Sequence, residues 1–131
     1  MDSQQALDDF WRSFGWRAWE ENTVPDNAIS DYGHYITYTA GTNEFDRPMM
    51  LSATLWERST SWHNTVNKAS EIEAAIGLGG TVIPFDGGKI WIKRGNPFSQ
   101  RMNGNDYVSE GKDDSVRRIY INIEVEYFTA V

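Results

Sequence analysis

The chain has 131 residues, about one domain, and six each of Trp, Tyr and Phe with a hydrophobic fraction of 40%, which excludes an intrinsically disordered segment. A formal net charge of −7 and a pI near 4.7 disfavour tight direct binding to nucleic acid phosphates. The absence of cysteine removes disulfides, thiolate nucleophiles and cysteine-based metal sites.

The stretch MDSQQALDDFWRSF opens on acid and amide groups, not on the basic and apolar regions of a signal peptide, so signal-directed export is not expected. No apolar run approaches the roughly 20 residues of a bilayer span, and no membrane partner is expected. Leu7, Phe10, Trp11 and Phe14 recur at helical spacing and predict an amphipathic helix ending near Phe14, with Ser3 as its cap and Gly15 closing it. Trp16 to Ser30 reads as a connector, with turn chemistry at Pro25-Asp26-Asn27. Tyr35–Thr39 and Met49–Glu57 read as two strands of a hairpin.

The stripe Trp62, Val66, Ala69, Ile72 and Ile76 predicts a second helix, capped by Ser59, Thr60 or Ser61 and closed by Gly77. Thr81–Phe85 and Lys89–Lys93 form a hairpin across Asp86-Gly87-Gly88, whose glycines tolerate the positive φ of a tight turn. Gly95 to Ser115 reads as a long polar loop. In the last strand Ile119, Ile121, Ile123, Val125 and Tyr127 share one face, and Arg118, Tyr120, Asn122, Glu124 and Glu126 the other. The prediction is a single α+β domain over residues 1–131, with a mostly antiparallel sheet of about five strands packed against two helices. Its element order is helix, two strands, helix, three strands.

Catalytic patterns are weak. His34 and His63 are the imidazoles present, and neither an EF-hand nor an HExxH spacing occurs near Asp106, Glu110, Asp113 and Asp114. Gly77-Leu78-Gly79-Gly80 follows a helix and lacks the Lys-Ser/Thr of a phosphate loop. Ser59, Ser61, His63 and Asp86 lack a nucleophile elbow to position a serine. The expectation is therefore a structural protein without cofactor, metal or catalytic residues. An enzyme or ligand-binding domain with a pocket built from Trp56, Trp62 and Trp91 is the alternative from another class.

The stretch from Gly79 to Asn122 joins the strand and turn at Asp86-Gly87-Gly88, Ile90-Trp91, the run Arg94-Gly95-Asn96-Pro97-Phe98-Ser99-Gln100-Arg101-Met102, and Arg117-Arg118-Ile119-Tyr120-Ile121-Asn122. With Phe14-Gly15, Val24-Pro25, Tyr35-Ile36-Thr37-Tyr38 and Leu55-Trp56, it resembles the tail terminator proteins of long-tailed, siphovirus-like bacteriophages, a family of minor tail proteins. The resemblance implies a small α+β subunit of a homo-hexameric ring at the head-proximal end of the tail. Such a ring is assembled in the host cytoplasm, caps the tail tube protein, ends tube polymerisation and meets the head–tail connector proteins. Genomic DNA would pass through the ring without specific binding, which an acidic lumen favours.

In the ring that the resemblance implies, Phe98, Gln100, Arg101, Met102 and Tyr107 are the candidates for contacts to a neighbouring subunit or to the tube, because they mix interface anchors with adaptable polar groups; a plain surface loop is the other reading. Asp113, Asp114, Arg117 and Arg118 are paired either within one subunit or between subunits. Another connector or tail-completion ring is the near alternative. Asn103–Lys112 is an insertion-like departure from shorter relatives.

Overall fold

A computed structural model describes residues 2–40, 47–102 and 116–129. Its elements are α1 (Ser3–Arg12), β1 (Ala18–Glu20), α2 (Ala28–Tyr32), β2 (His34–Tyr38), β3 (Met49–Arg58), α3 (His63–Ile76), β4 (Thr81–Phe85), β5 (Gly88–Arg101) and β6 (Val116–Thr129). The six strands form one sheet in the order β1-β2-β3-β6-β5-β4. All neighbours are antiparallel except β1 and β2, which run parallel. The α+β class thus stands, but the sheet is mixed and has six strands instead of about five.

The extra strand lies in the segment that reads as a connector. β1 is three residues long, too short for its alternation to register, and is defined by its pairing of Ala18, Trp19 and Glu20 with Ile36, Thr37 and Tyr38. Parallel neighbours need a crossover of about a dozen residues, and Glu21–Gly33, with the one-turn helix α2, provides it.

The two long helices lie on the sheet face that carries Ile36, Leu55, Ile90, Ile92, Ile119, Ile121, Ile123, Val125 and Tyr127, all at most 3% exposed. This is the inner face. α1 packs against both edge strands, β1 and β4, so the sheet curls until its two edges flank one helix. The predicted stripe fills the trough, with Leu7 and Trp11 fully enclosed and Phe10 edge-on to Trp11 and Phe14. Trp11 stacks on Tyr38, whose hydroxyl donates to Asp8 Oδ1 at 2.6 Å. The cap is Asp2, accepting from the Gln5 amide at 2.8 Å, and not Ser3, which is buried.

α3 covers the inner face over β3, β6 and β5. Its N-cap is Trp62, not Ser59, Thr60 or Ser61, although Ser61 Oγ accepts from the amide of His63, the first helical residue, and Gly77 ends it at φ 76°. Gly87 at φ 97° makes the tight turn between β4 and β5.

Gly95 to Ser115 is not wholly loop. β5 bulges between Arg94 and Ser99 and then resumes pairing with β6 through Arg101. Gly95 permits this, because a Cβ there would stand 2.7 Å from the Asn122 side chain and 2.8 Å from its carbonyl. Residues 103–115, including the Asn103–Lys112 stretch, lie outside the described residues.

Trp11→Ala is expected to cost about 3–5 kcal/mol in urea unfolding, since it empties the helix–sheet trough. Ile121→Asp buries a charge on the inner face and is expected to abolish the cooperative transition. Burial, and then the bond to Asp8, raises the Tyr38 phenol above its ordinary value of 10.0, and burial raises Tyr127 likewise. Folding thus favours the neutral phenols: their stabilisation is intact below pH about 10 and is lost as pH climbs through the raised folded-state values. Thermal melts from pH 8 to 12 should show this alkaline loss, and Tyr38→Phe should make it shallower.

Candidate functional site: the arginine end of the sheet

Of the residues expected to make contacts, Gln100, Arg101, Met102, Arg117 and Arg118 gather where β3 and β5 end and β6 begins. Strand alternation divides them between the two faces of the sheet. Arg101 and Arg117, which pair with Ile119 and Glu57, project on the helix side beside Trp62. Arg101 lies 4.8 Å and Arg117 5.5 Å from the indole centroid, and Arg117 Nη2 donates to the Thr60 carbonyl at 3.0 Å. Arg101 is exposed and has no ion pair among the described residues.

Arg118 projects to the outer face. It is 7% exposed, and its guanidinium lies 5.5 Å from the Trp56 ring. Trp56 stacks on Tyr35 with 10° between the planes, Tyr35 meets Trp19, and Trp19 meets Tyr32, over which Arg17 sits at 4.2 Å. A row of rings bounded by guanidiniums thus crosses β1, β2, β3 and β6. Trp56 Nε1 also donates to Thr37 Oγ1 at 2.9 Å, which fixes the indole. Contacts of this kind contribute about 0.5–2 kcal/mol each.

Phe98 is not a loop side chain: the bulge turns it into the core cluster at 9% exposure. Gln100 is an exposed β5 residue paired with Tyr120, and Met102 is half-buried, its amide donating to the Arg118 carbonyl at 3.0 Å. Tyr107, Asp113 and Asp114 lie outside the described residues. Arg101, Gln100 and Met102 therefore remain on the surface at this end, whereas Phe98 and Arg118 are largely enclosed within the single chain.

A polar cleft of about 340 Å3 adjoins the arginine end, lined by Trp16, His34, Glu57, Asn64, Asn67, Lys68 and Glu71. Glu57 is 7% exposed and accepts from Thr65 Oγ1 at 3.3 Å and Asn64 Nδ2 at 3.4 Å. Its position was readable as a charge in the apolar phase Leu51, Ala53, Leu55 of β3. His34 stacks on Trp16 at 4.4 Å, while Lys68 Nζ donates to the Phe14 carbonyl at 2.7 Å and Glu71 at 3.0 Å.

Ser59 and Ser61 use their hydroxyls as acceptors for the amides of Ser61 and His63, shaping the turn into α3. The His63 ring meets Asn67 instead of a serine. Among the described residues no three His, Asp or Glu side chains converge as a metal site, and no helix is long and apolar enough to cross a membrane.

No protein-family model matches this chain, and no curated protein matches it. A solved structure whose name states no activity or partner aligns over 98% of this chain and 92% of its own, with a TM-score of 0.55 and 15% identity. That likeness establishes a shared fold alone.

Phe98→Ala should destabilise the monomer by about 3–5 kcal/mol in urea unfolding, through the cavity left in the core. Arg118→Glu should also lower the melting temperature, since it places a carboxylate against the Trp56 ring. Both substitutions act first on the fold, so neither is a clean probe of assembly.

Proposed function

We propose that this chain is a virion structural protein, a bacteriophage tail terminator. It forms a ring on the completed tail tube, ends tube polymerisation and presents the surface that joins the head. The observation that carries the reading is the joining of its motif residues in space. Gly95 and Pro97 of the first run and Asn122 of the last lie together, with Asn122 Nδ2 donating to the Pro97 carbonyl at 3.1 Å and its side chain occupying the room left by Gly95. The sequence pattern is thus a structural joint between two long strands, the kind of signature that a building block carries.

The distribution of aromatic residues also supports this reading over a ligand pocket. Trp56 sits in the outer-face row, Trp62 between two arginines, and Trp91 beside Phe128 and Lys93. Their neighbours are different, as befits separate anchors on an extended surface. Part of the outer face also stays open, with Met50 58%, Val82 55% and Phe128 42% exposed. Exposed apolar side chains of this size suit a subunit that is covered on assembly.

Inactivating the gene in the phage should yield overlong tails without heads in electron micrographs. Tails of normal length that fail to join heads would instead identify a connector acting after termination. Normal particles would overturn both readings.

A further inference from the structure

Two patches of opposite charge lie too far apart to meet within one chain. The basic patch is Arg101 and Arg117 around Trp62. The acidic patch is Glu20, Glu21 and Asp26, on the segment that leaves β1. Glu21 and Asp26 are exposed, Glu20 is half-buried, and none has an ion pair among the described residues. The Glu20 carboxylate accepts from the backbone and side-chain amides of Asn22, both at 3.0 Å, so the start of this segment is braced by neutral donors. No Lys or Arg occurs between Ala18 and Gly33.

The pairing registers place Glu20 level with Tyr38, Ala53 and Ile121, while Arg117 lies four residues along β6 from Ile121. β1 is three strands away from β6. At about 3.3 Å per residue and 4.8 Å per strand, Glu20 and Arg117 are about 20 Å apart along the sheet, beyond the reach of their side chains.

We infer that the Arg101–Arg117–Trp62 patch of one copy receives the Glu20–Glu21–Asp26 segment of the next. This rests on the ring assembly proposed above and supplies its contact. A chain of net charge −7 repels its copies at long range, so association needs a local basic surface aimed at a local acidic one. The exposed Arg101 guanidinium, already ordered against an indole, is pre-set to donate to carboxylates, and Arg117 adds its positive charge beside it. Because the two patches differ and lie apart, the contact is head-to-tail, and such contacts close into a ring when the rotation fits.

The test uses Arg101→Glu and the double variant Glu21→Lys/Asp26→Lys, all at exposed positions, with circular dichroism melts to verify folding. Sedimentation velocity should find the parent protein associating, less so as salt rises from about 0.05 to about 0.5 M. Each variant alone should associate at least about tenfold more weakly, and mixing the two should restore assembly, because each reversed patch then meets its reversed partner. Variants that associate like the parent, or a mixture that does not recover, would overturn the pairing. If those variants still end tube growth, the terminator reading survives that loss. A parent protein that stays monomeric and leaves tube growth unchanged overturns both.

Discussion

The arrangement depends on the packing of α1 into the curl of the sheet. A six-stranded sheet with one apolar face needs a cover, and here a single ten-residue helix meets both edge strands at once. Leu7 and Trp11 fill the trough, and the Asp8–Tyr38 hydrogen bond pins the helix to β2. Curling around α1 brings β1 and β4 to the flanks of one helix. It also leaves β3, β6 and β5 to present their ends, and with them the arginines, beside α3.

The same curl governs what the molecule offers to a partner. Long, flat edge strands invite strand addition, and the two edge strands among the described residues are short: β1 has three residues, and β4 has five, including Pro84, which lacks an amide donor. Association through side chains is the route that remains well supplied. The outer face supplies it unevenly, with aromatic rings and arginines at one end of β6 and Glu124 and Glu126 toward the other. Lys93 bridges these acids at 2.9 and 3.7 Å, and the bond to Glu124 raises its pKa. Exposed pairs of this kind contribute little to stability and more to the pattern of charge that a partner meets.

Much of this was legible wherever one periodicity ran unbroken. The α1 stripe and the alternation of β6 appear in the sequence because Leu7, Phe10 and Trp11, and Ile119 through Tyr127, obey a single spacing from end to end. β1 escaped because three residues carry no period and a parallel partner is set by tertiary pairing. The continuation of β5 escaped because the Gly95–Phe98 bulge breaks the alternation and mimics a loop, which also made Phe98 look exposed when it is in the core. At the arginine end Arg101 and Arg117 were visible as charges. Their shared partner Trp62 reads in sequence as part of the α3 stripe or of a Trp pocket, not as a partner of arginines, since nothing local links a helix start to strand ends far away in sequence. Glu57 was the one overlooked signal, a carboxylate in the apolar phase of a strand.

The central claim is that this protein ends tube growth by capping. The direct measurement is electron microscopy of purified tail tube protein polymerising in vitro, with and without this protein. The account predicts shorter tubes, each bearing a ring of extra density at one end. Tubes of unchanged length with bare ends would contradict it.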